Sequence, residues 1–309
     1  METIRKEKDK KLHVIYGDTS LGLRGSGFHY IFSYQQGGLV SLKKEGKEWL
    51  YRIPTPTFWR ATTDNDRANG FSFRSNMWLG ADLFRKHIHS EVKINKQVIP
   101  LPIAPLNNAY SKDETAEEVS VSFTYLLNVV PETKVIIGYQ VTGEGTIKVT
   151  FKYFGQVGLP ELPVLGMRFM MPNLALGYEY EGLSGETYPD RKAGGVSGTY
   201  EISGLPVTPY LVPQDCGVHL ETKWVKIIGR GDLTIESEHF PFAFSCLPYT
   251  SLELENATHQ EELPPPRYTV LCILARVRGV GGINSWGADV EEDYHISGEK
   301  DVEFSFSIR

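Results

Sequence analysis

Two stretches bring reactive or sugar-binding side-chain types close together. The first is Thr57-Phe58-Trp59-Arg60-Ala61-Thr62-Thr63-Asp64-Asn65-Asp66-Arg67. Asp, Asn and Asp in succession favour a loop, because short polar side chains bond their own backbone. Asp64-Asn65-Asp66 lacks the ligand spacing of a calcium loop, which argues against a metal site. The second stretch is Gly279-Val280-Gly281-Gly282-Ile283-Asn284-Ser285-Trp286-Gly287. Its glycines mark backbone that takes positive φ or approaches another group closely. Ser285 and Gly287 are too small to cover the Trp286 indole. A flat ring on a glycine-rich loop after a strand can serve as a binding platform; the other reading is a core tryptophan.

Carboxylates come next, since sugar hydrolysis usually needs two, one as acid and one as nucleophile or base. The chain has 38 acidic residues, so a candidate pair can always be found. Glu186 and Asp190 flank Tyr188-Pro189, but Asp190 reads as a local partner of Arg191 or a turn cap. His259 and Glu262 form a weak pair on a predicted helix at the surface. No Gly-x-Ser-x-Gly elbow, His-Glu-x-x-His or phosphate loop is present. By these criteria the chain is a binding and supporting unit without a catalytic centre of its own.

The elements that must position these stretches are strands. Val119, Val121, Phe123, Tyr125 and Leu127 alternate with more polar residues. So do Val135 to Val141 and Ile147 to Tyr153, which Thr142-Gly143-Glu144-Gly145-Thr146 joins as a hairpin. Period-two alternation in successive strands predicts an antiparallel sheet with one covered face. Further strands are predicted at 12–16, 29–33, 39–42, 49–53, 167–171, 225–228, 233–235, 242–245, 268–275 and 302–308. Met77, Ala81 and Phe84 suggest a short helix, and Leu252 to Glu262 a second, closed by Pro264-Pro265-Pro266. Residues 177–222, rich in Gly and Pro, read as an extended loop region. The sum is an all-β chain in two large antiparallel sheets with one or two short helices.

Composition excludes several classes. Hydrophobic residues at 41% and charged residues at 23% of 309 describe an ordinary soluble protein. A net charge of −6 argues against a nucleic-acid or anionic-membrane surface. Cys216, Cys246 and Cys272 suggest neither a disulfide framework nor a zinc site. Residues 1–10 read as a disordered tail without an apolar leader, and 11–309 as one domain. The cytoplasm is the default location.

Four motifs in order resemble the C-terminal domain of large bacterial β-galactosidases. They are Phe58 to Arg67, Tyr188-Pro189-Asp190-Arg191, Pro209-Tyr210-Leu211-Val212-Pro213-Gln214, and Gly279 to Gly287. A chain of this length resembles the small subunit of two-chain β-galactosidases of glycoside hydrolase family 2. That resemblance implies a β supersandwich related to galactose mutarotase. It implies a large-subunit partner that carries the catalytic glutamates of a retaining hydrolase, with Mg and Na on that subunit. Trp286, with Asn284 and Ser285, is implied to bind the sugar in the outer subsite. Asp64, Asn65, Asp66, Arg67, Ala68, Asn69 and Gly70 are implied to form a mobile loop over the galactose. Ala68 stands where the family often has glycine, so either Ala68 or Gly70 could be the hinge. Gln214-Asp215-Cys216-Gly217 replaces the usual Glu-Asn-Gly. Two other readings stay open: a free-standing mutarotase-like aldose epimerase, which needs a histidine acid and a carboxylate base, and a carbohydrate-binding module.

Overall fold

The computed structural model describes residues 11–101, 114–229, 231–284 and 287–309. The expected tail at 1–10 and the candidate residues Ser285 and Trp286 lie outside them. The described residues form three antiparallel sheets. A ten-stranded sheet runs, in spatial order, Ser197–Ser203, Gly177–Leu183, Trp224–Gly229, Gly231–Ser237, Val302–Ile308, Ile147–Tyr153, Thr133–Thr142, Glu118–Leu127, Lys86–Ile94 and Gln97–Ile99. A six-stranded sheet runs Lys47–Glu48, Gly38–Lys44, Phe28–Ser33, Ser20–Gly25, Leu12–Tyr16 and Thr115–Ala116. A five-stranded sheet runs Val218–Thr222, Phe242–Leu247, Thr269–Val277, Val164–Met171 and Thr55–Thr57.

The alternating runs do what their period requires. Register places Val121, Tyr139, Val149 and Phe306 in one row across four strands, and all four side chains are buried. That row faces both smaller sheets. Phe32 of the six-stranded sheet lies 6.5 Å from Phe123 between ring centroids, and Phe169 of the five-stranded sheet lies 6.1 Å from Phe306. The ten-stranded sheet is therefore a common backing, and the main core between the layers gathers residues from Leu12 to Ile308. Removing this much apolar surface from water is the dominant stabilising term.

Several expectations need correction. Three sheets replace two because the five-stranded layer is separate from the six-stranded one. Among the described residues three short α-helices replace one or two: α1 (Asp64–Ala68), α2 (Phe71–Arg74) and α3 (Ser251–Asn256). Met77, Ala81 and Phe84 share no helical face: Ala81 is buried, Met77 is half-buried and Phe84 is exposed. The helix expected at 252–262 stops at Asn256, with a 3-10 turn at Gln260–Glu262. Residues 49–53 are not a strand. Within 177–222, three strands stand where a loop was expected. Tyr178 and Tyr180 alternate with Glu179 and Glu181, and both rings are fully buried.

The five-stranded sheet sets up the site. Thr55–Thr57 and Thr269–Val277 both run antiparallel to Val164–Met171, with Thr57 opposite Gly166 and Val277 opposite Val164. The two strands are therefore parallel to each other and leave the sheet at the same end. Arg60 and Arg278 follow within three residues of those exits.

Candidate functional site

At that end the four motifs meet around a buried carboxylate. Asp66 accepts two hydrogen bonds of 3.1 Å from Nη2 of Arg60 and one of 3.2 Å from Nη1 of Arg278. Asp66 and both arginines are at most 1% exposed. Arg60 also donates to the carbonyls of Arg278 and Gly279, at 2.7 and 2.8 Å. A buried charge is tolerated only when paired and hydrogen-bonded, and here one carboxylate serves two guanidinium groups. A second carboxylate, Asp289, takes up the remaining charge, binding Arg278 and Arg74. Glu161 lies 3.6 Å from the Nε of Arg278, and the Arg278 guanidinium sits 3.9 Å over the Phe71 ring.

Asp66 reaches this position because α1 begins one turn earlier. Thr63 is the N-cap: its hydroxyl accepts from the Asp66 amide at 3.1 Å, and Asp66 accepts from the Thr63 amide at 3.1 Å. This reciprocal box satisfies two amides that a helix start leaves open. Glu255 on α3 steadies the approach, accepting from the Thr62 amide at 2.6 Å and its hydroxyl at 2.8 Å. Residues 64–68, expected as a loop, are thus helical, with Asn69 as C-cap and Gly70 left-handed at φ +75°.

The glycine stretch is held from two sides. The Asn65 side-chain amide donates to the Val280 carbonyl at 2.8 Å. Asp190 accepts from the amides of Val280 and Gly281, at 2.9 and 2.7 Å. Arg191 donates to the Gly281 carbonyl. Gly281 and Gly282 have φ of +68° and +78°, and a Cβ on Gly282 would stand 2.7 Å from the Asn65 side chain. Both the close approach and the backbone conformation therefore call for glycine. Gly287 touches Ala68: a Cβ there would meet the Ala68 Cβ at 3.0 Å. Asn284 accepts from the Ala288 amide at 3.1 Å.

The third motif closes the ring. Gln214 accepts from the Asp64 amide at 2.8 Å, and the Asp215 amide donates to the Ala61 carbonyl at 3.2 Å. The Tyr188 hydroxyl donates to Asp215 at 2.9 Å. Burial pushes the Asp215 carboxyl up to about 7, while Arg60 and the Tyr188 hydrogen bond pull it the other way.

The geometry brings together Asp64, Asn65, Asp66 and Ala68 from the sequence reading with the glycine and third motifs, while Asn284 is bonded within its own stretch to Ala288. Arg67 turns aside to pair with Asp64 at 3.3 Å near the surface, and Asn69 donates to Asp289 at 3.2 Å. Sequence reasoning missed Arg278, Asp289, Glu161 and Glu255 as site residues, met Asp215 only as a departure from the family pattern, and gave Asp190, beyond its place in a motif, a local role. The only signal for Arg278 was its place between the apolar run and the glycine stretch, which Arg276 shares.

The described residues singled out for rival chemistries are already engaged. Glu186 is engaged by the Gly217 amide and the Thr208 hydroxyl, both at 2.8 Å, and Asp190 by the glycine stretch. His219 is 4% exposed, with its nitrogens 2.7 Å from the Gly185 carbonyl and 2.9 Å from the Tyr178 hydroxyl. Burial pulls its pKa down to about 4, so it is a neutral core residue at pH 7. Among the described residues no group of three His, Cys, Asp or Glu side chains could hold a metal ion, and no helix is long and apolar enough to cross a membrane.

The chain is similar to several known proteins. A family model described as the β-galactosidase small chain matches residues 24–308. The β-galactosidase small subunit of Latilactobacillus sakei is 56% identical over 97% of this chain and 98% of its own length. A β-galactosidase of Halalkalibacterium halodurans is 34% identical over 100% of this chain, which spans only 29% of that protein. A solved structure titled a putative aldose 1-epimerase from Escherichia coli K12 covers 96% of this chain and 98% of its own. It has 11% identity and a TM-score of 0.46.

Proposed function

The chain belongs to the β-galactosidase small-chain family, and on that premise we propose that it is the subunit that completes the active site of a two-chain, retaining β-galactosidase. The substrate is a terminal β-D-galactoside such as lactose. The catalytic glutamates, with Mg and Na, belong to the large chain, and the assembly works in the cytoplasm. The observation that carries this reading is the Asp66 clamp, which ties α1 to the glycine stretch by side chains that solvent barely reaches.

On this proposal, Asp64 to Gly70 cover the galactose, and Trp286 with its neighbours Asn284 and Ser285 walls the outer subsite. The chain's own residues bind, orient and exclude water; they do not break the glycosidic bond. Positioning of this kind requires side chains locked by a supporting shell. Arg60, Arg278, Asp190 and Asp289 are that shell, because each holds backbone or charge on the segments that face the sugar. The Asn65 hydrogen bond to Val280 links the two segments directly, so movement of one is felt by the other.

The test is reconstitution. The purified chain alone should leave a chromogenic galactoside uncleaved, and hydrolysis should appear when the large chain is added. Turnover by the rigorously purified single chain would overturn the reading. Binding of galactosides by the single chain, with no gain when the large chain is added, would favour a carbohydrate-binding module instead.

A further inference from the structure

The segment after α1 has an inner and an outer side. Phe71, Ser75, Trp78, Ala81 and Asp82 are buried. Trp78 fixes the segment: its indole donates to the Pro160 carbonyl at 3.2 Å and its ring lies 5.6 Å from Phe58 between centroids. The outer side carries Phe73 at 81% exposure, Phe84 at 70%, Leu79 and Leu83. The ledge continues across the neighbouring loops. The Val130 amide points to the Met77 sulfur at 3.2 Å, and Pro131 lies beside Gly158, next to Val157. Val130 and Val157 are 77% and 86% exposed. Large exposed apolar side chains gathered on one short segment and the loops beside it mark an interaction site.

We propose that this ledge of Phe73, Leu79, Leu83, Phe84, Val130 and Val157 is a docking surface for the large chain. The inference rests on the subunit reading above and adds to it the face that meets the partner. Two observations select this occupant. The ledge begins where the candidate site ends, since Arg74 and Asn69 both bind Asp289, which also binds Arg278. The Halalkalibacterium halodurans relative continues well beyond the 29% that this chain matches. A two-chain enzyme must hold the counterpart of that remainder by contact alone, and apolar area near the shared site does so.

The experiment titrates the large chain with three forms of this chain: unaltered, Phe73→Asp/Phe84→Asp, and Phe240→Asp. Phe240 is an equally exposed phenylalanine away from the ledge. The ledge variant should bind about tenfold or more weakly with its melting temperature nearly unchanged, and Phe240→Asp should bind normally. If the double variant misfolds, Leu83→Lys and Val157→Asp carry the same test. Unchanged affinity in the ledge variants overturns the proposal. So does self-association of the unaltered chain that the ledge variants abolish while large-chain binding persists, which would assign the ledge to a second copy. If the unaltered chain fails to bind the large chain at all, the subunit reading falls, and the ledge proposal with it.

Discussion

Asp66 and Arg278 lie 212 residues apart in sequence and form an ion pair at 3.2 Å, with Arg60 on the same carboxylate. Solvent scarcely reaches any of the three. Removing one partner of such a group leaves buried, uncompensated charge, a loss of about 3–5 kcal/mol. Asp66→Ala should therefore lower the unfolding free energy by about that amount in a urea titration. Asp66→Asn should cost a comparable amount, because the amide keeps the shape but not the charge. A loss under about 1 kcal/mol for both would show that Asp289 and Glu161 suffice for Arg278, and the Arg278 and Gly279 carbonyls for Arg60, without Asp66.

Asp215 gives a pH signature. Burial raises its folded pKa to about 7, well above the ordinary aspartate value of about 4. Between those values the folded chain holds a proton that the unfolded chain has lost. The group's contribution is therefore complete below about pH 4 and disappears as pH rises through 7. The slope is up to about 1.4 kcal/mol per pH unit. Asp215→Asn keeps an acceptor for the Tyr188 hydroxyl and cannot ionise. Its stability relative to the unaltered chain should rise between pH 4 and 7. Parallel melting-temperature profiles for the two proteins would rule this out.

The strands were legible where one face is buried and the other wet, as at Val119 to Leu127, because that pattern is local. Gly177–Leu183 escaped because its alternation, Tyr178 and Tyr180 against Glu179 and Glu181, is only four residues long and lies between Gly177 and Gly182. The Asp66–Arg60 half of the clamp was within reach, six residues apart in one motif. Arg278 was not, since only the common exit of two strands brings it to Asp66, nor was Asp289, which joins through Arg278. Asp190 shows the limit of local reading. Its neighbour Arg191 does lie 3.8 Å from the carboxylate, as local reading expects, but the carboxylate also accepts from the amides of Val280 and Gly281, about ninety residues on.

Gly287 touches the end of α1 with φ at +77°, and a Cβ there would meet the Ala68 Cβ, carbonyl carbon and oxygen at 3.0–3.2 Å. Gly287→Ala should push the two segments apart. A fall of about threefold or more in kcat/KM for lactose in the assembled enzyme is expected, with a stability loss of about 1–2 kcal/mol. Adding Ala68→Gly should recover only part of the fall, because backbone atoms of residue 68 are also in the way. Normal kinetics with the stability loss alone would make the contact purely structural.

Trp286 gives the sharpest test of the proposed subsite. It follows a stretch that Asp190 and Asn65 hold in place, and the family resemblance assigns it to the outer sugar. Packing the C–H face of a sugar on an indole removes apolar area from both partners, worth on the order of 1–2 kcal/mol. Trp286→Ala should therefore lower kcat/KM for lactose by roughly tenfold or more in the two-chain enzyme. Inhibitors that fill only the galactose subsite should lose less, because they do not depend on the outer platform. A core tryptophan cut to alanine would behave differently, losing about 3–5 kcal/mol of stability. Melting temperature and lactose kinetics measured on one preparation separate the two cases. A collapsed melting temperature with normal turnover in the folded remainder would return Trp286 to the core.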